Sequence, residues 1–217
     1  MTATTTETPT IEGEPLPVAL TPEAGAILLR LARAVVAATA SGRLGAPDLA
    51  NVLPPDPPTV LLAPAAAFVT LHQDGELRGC VGCLATDEPL WETVVSAAVS
   101  AASRDPRFPA VTGPEVPSLA IDVSVLGPAL PLGDPSTFRP GLDGIIVERG
   151  GRRGLMLPEV ATDQGWGVRE MLEATCLKAG LSREAWRDPG TRVLVFRTAR
   201  VSEAGEADTS GEADTSG

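Results

Sequence analysis

Apolar residues recur at three- and four-residue spacing after Thr21. Ile27, Leu28, Leu31 and Val35 form a stripe that predicts an amphipathic helix. Thr21 suits the N-cap, Pro22 the first helical position, Glu23 opposes the dipole, and Gly42 ends the helix. The Pro-rich piece Pro54–Pro58 is a connection. Ala67–Leu71 and Glu76–Val81 read as two strands, with Asp74-Gly75 as a two-residue turn between them. Thr86 or Asp87 caps a predicted helix that starts near Pro89 and runs through Ala102. Pro106 in Arg104–Phe108 breaks it. Leu119–Leu126 alternates like a strand with one more polar face. Gly144–Arg149 and Arg152–Leu157 flank Gly150-Gly151 as a second hairpin. A short helix opens at Pro158-Glu159, and another covers Val168–Ala179 with Gly180 past its end. Ser182 caps a last turn reaching Trp186, and Arg192–Ala199 reads as a final strand. Hairpins mixed with helices predict an α+β fold with a largely antiparallel sheet.

The 217 residues, 43% apolar and 21% charged, suit a folded chain with polar ends. Residues 1–15 and 203–217 are polar or acidic and are expected to be disordered tails around a domain at 16–202; in the second tail Glu206–Gly211 recurs as Glu212–Gly217. The net charge of −11 is concentrated there: all 17 basic residues lie within 16–202 beside 20 acidic ones, leaving that stretch at −3. The absence of Tyr, the scarcity of other aromatics and the lack of a basic run argue against nucleic acid as a partner. Three cysteines are too few for a disulfide scaffold, and a reducing, cytoplasmic setting is expected. The start shows no apolar signal segment. The longest uncharged stretch, Pro57–Gln73, holds three prolines and is not a membrane helix. No Walker or dinucleotide-binding glycine motif is present, and no cofactor is expected.

The most unusual segment is Leu77-Arg78-Gly79-Cys80-Val81-Gly82-Cys83, where glycines interrupt a strand and mark a bulge or a close approach. In an extended strand Arg78 and Cys80 share a face, so the guanidinium favours the thiolate. The plain alternative is a small buried cysteine. Cys80 and Cys83 form C-x-x-C, but Cys176 and His72 are the remaining Cys and His candidates for a zinc site. A two-residue turn sets Leu71 against Arg78 and Val69 against Cys80. His72 then falls on the opposite face with Thr70 and Leu77, away from Cys80. Arg104, Asp105 and Arg107 are either a helix stop with a local ion pair or the rim of an anion site near Arg78. Arg149, Arg152 and Arg153 read as a solvated turn.

LRGCVG (Leu77–Gly82), DPRFPAVT (Asp105–Thr112), SLAIDVSVL (Ser118–Leu126), DGIIVERGGRRGLMLPEVA (Asp143–Ala161) and CLKAGL (Cys176–Leu181) occur in that order. Together they resemble the AMMECR-type domain family, from about Thr21 to Val201. The resemblance implies an α+β fold: a mainly antiparallel sheet flanked by helices, with a smaller three-stranded β subdomain. It implies a functional cleft at the hexapeptide. Arg78, Gly79, Cys80 and Gly82 carry over from the first block, and Asp105, Arg107 and Phe108 from the second. His72 and Cys83 fall outside the family pattern. The resemblance also implies association with a Memo-like protein and a radical SAM protein, in the AmmeMemoRadiSam system. It implies no particular reaction. Two functions stand: a catalytic or ligand cleft in which Cys80 is the thiolate, Arg78 activates it and Arg107 helps hold a small anionic group, or a non-catalytic binding module for those partners.

Overall fold

The computed structural model describes residue 15 and residues 17–42, 52–83 and 87–203. The chain divides into two compact units: a larger one from Pro17–Gly127 and Thr198–Gly217, and a smaller one from Met1–Leu16 and Pro128–Arg197. The expected tails lie outside the described residues except for buried Pro15 and Glu203.

In the larger unit, α1 (Pro22–Ala40) starts where the Thr21 hydroxyl accepts the Ala24 N–H at 3.2 Å. It ends at Gly42, whose φ of 69° is left-handed. Ile27, Leu28, Leu31 and Val35 are all buried, as their spacing predicts. Burying each such Leu or Ile is worth about 1.5–3 kcal/mol. A single turn, α2 (Thr59–Leu62), precedes β1 (Ala67–Gln73) and β2 (Glu76–Cys83). Asp74 and Gly75 have φ of 53° and 84°, the left-handed pair that a tight hairpin turn requires.

Helix α3 (Leu90–Ser103) is capped differently from the sequence expectation. Thr86 lies outside the described residues. Pro89 holds the N-cap position, and the first N–H, that of Leu90, is satisfied by the Ala63 carbonyl at 2.9 Å. Strand β3 (Leu119–Leu126) has the predicted bounds.

The smaller unit contains β4 (Leu130–Pro131), β5 (Gly144–Arg149), β6 (Arg152–Met156), α4 (Glu159–Gln164), α5 (Val168–Lys178) and β7 (Arg192–Phe196). Its antiparallel sheet has the order β4-β7-β5-β6: three main strands and a two-residue edge. Ile145, Val147, Met171, Leu172 and Cys176 anchor its core.

The chain then returns to the larger unit as β8 (Thr198–Ser202), giving a second antiparallel sheet of order β2-β1-β3-β8. This corrects the expectation of one continuous strand over Arg192–Ala199. Two strands, in different sheets, meet at Arg197. That arginine is buried and bonds Asp143 at 3.1 Å, and a charge so placed requires its partner. In the larger sheet Leu126 stands opposite Thr198, and Val201 packs against α1 at Gly25. Helices α1 and α3 share one core with the inward residues of β1 and β3, including Val69, Leu71, Ile121 and Val123. Mainly antiparallel sheets with flanking helices make the fold α+β.

Candidate functional site

Strand β2 is an edge strand, so one row of its main-chain groups lacks a neighbouring strand. The segment after α3 supplies the missing partners. Pro106 turns the chain back, and Asp105 becomes buried against β2. Its Oδ2 accepts the Cys80 N–H at 2.9 Å. Arg107 donates to the same carboxylate through Nε at 2.9 Å and Nη2 at 2.7 Å. Arg107 Nη2 also donates to the Cys80 carbonyl at 3.1 Å. The guanidinium lies 5.4 Å from the centre of the Phe108 ring. The Arg107 guanidinium, followed by main-chain donors including Cys80, holds the Asp105 carboxyl well below the usual range despite its burial.

Arg78 is the extra residue of a bulge. Leu71 pairs with Gly79 and His72 with Leu77, leaving Arg78 between them. Its Nε donates to Glu115 at 2.9 Å and its Nη1 to the Pro109 carbonyl at 2.9 Å. Glu115 also accepts from the Thr112 hydroxyl at 2.6 Å and the Thr112 N–H at 2.8 Å. The Thr112 hydroxyl first, then Arg78, pushes the Glu115 carboxyl down to about 2.

Both glycines of the hexapeptide permit close approach. A Cβ on Gly79 would stand 2.5 Å from the Ala101 carbonyl of α3. One on Gly82 would stand 2.4 Å from the Ala67 carbonyl and 2.5 Å from the Phe68 ring.

The bulge overturns the predicted register. Cys80 faces Thr70, not Val69, and Arg78 faces no single partner. Residues paired across a ladder share a face, so Cys80 lies with Thr70, and His72 joins them at i+2. His72 was expected on the opposite face. Asp105 and Arg107 occupy the outer N–H and C=O of Cys80, which marks Thr70–Cys80 as a close, non-hydrogen-bonded ladder pair. The Thr70 hydroxyl donates to the Cys80 sulfur at 3.4 Å. Across β1, Asp122 stands opposite Thr70. Buried Asp122 bonds His72 Nε2 at 3.1 Å and Arg200 Nη2 at 2.6 Å. One sheet face thus carries thiol, hydroxyl, imidazole, carboxylate and guanidinium in neighbouring positions.

The AMMECR1 family profile matches residues 29–201. The chain belongs to the AMMECR1 family. A protein of Methanothermobacter thermautotrophicus is 46% identical over 159 residues, covering 70% of this chain and 83% of its own. One from Thermococcus gammatolerans is 41% identical over 192 residues, covering 83% and 90%. The crystal structure of an uncharacterized protein from Pyrococcus horikoshii superposes with a TM-score of 0.76 at 36% identity, covering 85% of this chain and 93% of that one.

In this AMMECR1 family member the first two sequence blocks meet in space: Arg78 and Cys80 of one are held by Asp105, Arg107, Pro109 and Ala110 of the other. The arginine drawn electrostatically to the Cys80 sulfur is Arg107, whose basicity is raised by Asp105 first and by Cys80 to a lesser degree. Arg78 is instead turned to the 109–115 segment. Thr70, Asp122 and Arg200 were absent from the sequence-derived site. The one available signal was Asp122, a charge inside the apolar run Leu119–Leu126.

Cys83, three residues along the strand from Cys80, points to the other face, and Cys176 is buried in the smaller unit. Among the described residues no group of three or more His, Cys, Asp or Glu side chains could hold a metal ion. No helix among them is long and apolar enough to cross a membrane.

Proposed function

We propose that the sheet face around Cys80 is a reaction site in which the Cys80 thiolate attacks an electrophilic small molecule. The observation that carries this reading is the sulfur's setting: it receives the Thr70 hydroxyl at 3.4 Å and attracts the anchored Arg107 guanidinium. Both favour the charged nucleophile. His72, oriented by Asp122, sits diagonally across the ladder from Cys80. Such diagonal spacing is about 7–8 Å, which leaves room for a reacting group between sulfur and imidazole. His72 then serves as the proton carrier for the leaving group. Arg78 is a positioning residue that fixes the bulge and with it the Cys80 register.

Alkylation kinetics test the proposal. In a C83S background, iodoacetamide should modify Cys80 at neutral pH several-fold faster than an ordinary exposed thiol. T70V and R107Q should each slow it. Rates equal to those of a free thiol and indifferent to both changes would overturn the reading.

The second reading rests on Leu77, an exposed large apolar side chain of the hexapeptide. In it the hairpin docks the Memo-like or radical SAM protein that the family resemblance implies. L77D would then abolish co-purification of the partner while C80A leaves it intact; the catalytic reading expects C80A to abolish turnover with folding unchanged.

A further inference from the structure

The smaller unit holds a cavity of about 310 Å³ at the β5–β6 turn, lined by Arg149, Arg152, Arg153, Arg192 and Glu148 among others. Pairing across the sheet puts Glu148, Arg153 and Arg192 on one face and Arg149 and Arg152 on the other, and both sets line the opening at the hairpin end. Glu148 stands opposite Arg153 on one side and Arg192 on the other. Its single carboxylate bonds both, at 3.0 Å and 3.3 Å. Arg149 and Arg152 stand directly opposite each other, a like-charge pair that disfavours the ladder. Arg149 pairs with Asp188, and Arg152 donates to the Gly180 carbonyl at 2.6 Å.

Each face therefore sets two guanidiniums against one carboxylate, and all four arginines line one opening. Each guanidinium carries five donors in a rigid fork, more than these contacts use. The surplus positive charge opposes local folding, and natural sequences depart from local rules chiefly at functional positions. The cavity also sits at the small end of ligand sites, which begin at about 300 Å³. Arginine forks match phosphate and carboxylate oxygens in pairs.

We propose that this cavity binds a compact small molecule carrying two or more negative charges on phosphate or carboxylate oxygens. The ligand supplies the counter-charge that Glu148 and Asp188 leave incomplete. The site stands independently of the Cys80 chemistry.

Calorimetric titration of the full chain with pyrophosphate, and separately with citrate, tests it. The salt should be about 0.1 M, where a Debye length of about 10 Å screens diffuse attraction. We expect saturable one-site binding of at least one probe. It should weaken about tenfold or more in R149Q/R192Q, the scale of one lost charge-assisted hydrogen bond. R169Q, at an exposed arginine of the same unit outside the cavity lining, should bind unchanged. Stronger binding of pyrophosphate assigns a phosphorylated ligand, and stronger binding of citrate a polycarboxylate. If the double variant fails to fold, the exposed single change R192Q serves in its place. No saturable binding of either probe at millimolar concentration, or equal weakening in R169Q, overturns the proposal.

Discussion

Asp105 finishes the open side of β2 by accepting the Cys80 N–H at 2.9 Å. An acidic side chain thereby does what a neighbouring strand would do, and Arg107 does the same for the Cys80 carbonyl.

Removing the carboxylate should be expensive. D105A leaves the Cys80 N–H without its acceptor while the half-exposed Arg107 guanidinium turns to solvent, and we expect a loss of about 1–3 kcal/mol. R107Q strips the buried Asp105 carboxylate of its counter-charge and leaves it the Cys80 and Arg107 main-chain N–H groups, so it should cost at least as much. Urea unfolding midpoints measure both. A D105A protein as stable as wild type would contradict this account of the edge.

The Arg78–Glu115–Thr112 contact should make stability depend on acid pH. Glu115 titrates at about 2 in the fold against an ordinary value of 4.5. A carboxyl lowered in this way stabilises the fold fully above its unfolded pKa. It loses that contribution as pH falls through the folded one. The stability difference between wild type and E115Q should therefore be constant above about pH 5 and shrink between pH 4.5 and 2. Denaturant titrations across this range provide the check, and a difference that grows toward low pH would refute it.

The hexapeptide glycines should be intolerant for steric reasons separate from chemistry. G79A and G82A each drive a methyl against a main-chain carbonyl, and each should cost about 1–3 kcal/mol. G113A meets open space and should be close to neutral. Melting temperatures of the three variants would reveal whether the glycines matter through packing.

The cysteines should separate by labelling rate. Cys83 is exposed and Cys80 partly buried, whereas Cys176 is fully buried and burial pushes its thiol up. A native sample exposed briefly to a thiol reagent should carry label at Cys80 and Cys83 only, with Cys176 labelled after denaturation. Peptide mass mapping reads the result.

Most elements were legible because local signals agreed: the Thr21 cap, the Asp74-Gly75 and Gly150-Gly151 turns, and the alternating run over Leu119–Leu126 all stand as predicted. The site was less legible. A single extra residue at Arg78 reverses which face Cys80 presents, and period-two reasoning assumes an unbroken ladder. The arginine that holds the Cys80 carbonyl and is drawn to its sulfur comes from a loop 27 residues further along, a proximity that spacing does not encode. The strand over Arg192–Ala199 divides because only Arg197 separates the apolar β7 from the more polar β8, and its buried pair with Asp143 marks the switch between sheets.

That switch gives the chain an unusual grammar. Leu126 and Thr198 are ladder partners, so residues 127–197 occupy the position of a hairpin loop. Closing a longer loop costs little, about 0.6 kcal/mol for each doubling, so the larger sheet can carry a whole folded insert there. An Asn-Gly turn joining Leu126 to Thr198 would leave that sheet with all four strands. The Pro128–Arg197 part of the smaller unit is thus a guest between two strands. It can be exchanged, enlarged or lost while its host keeps the same hydrogen-bonded frame.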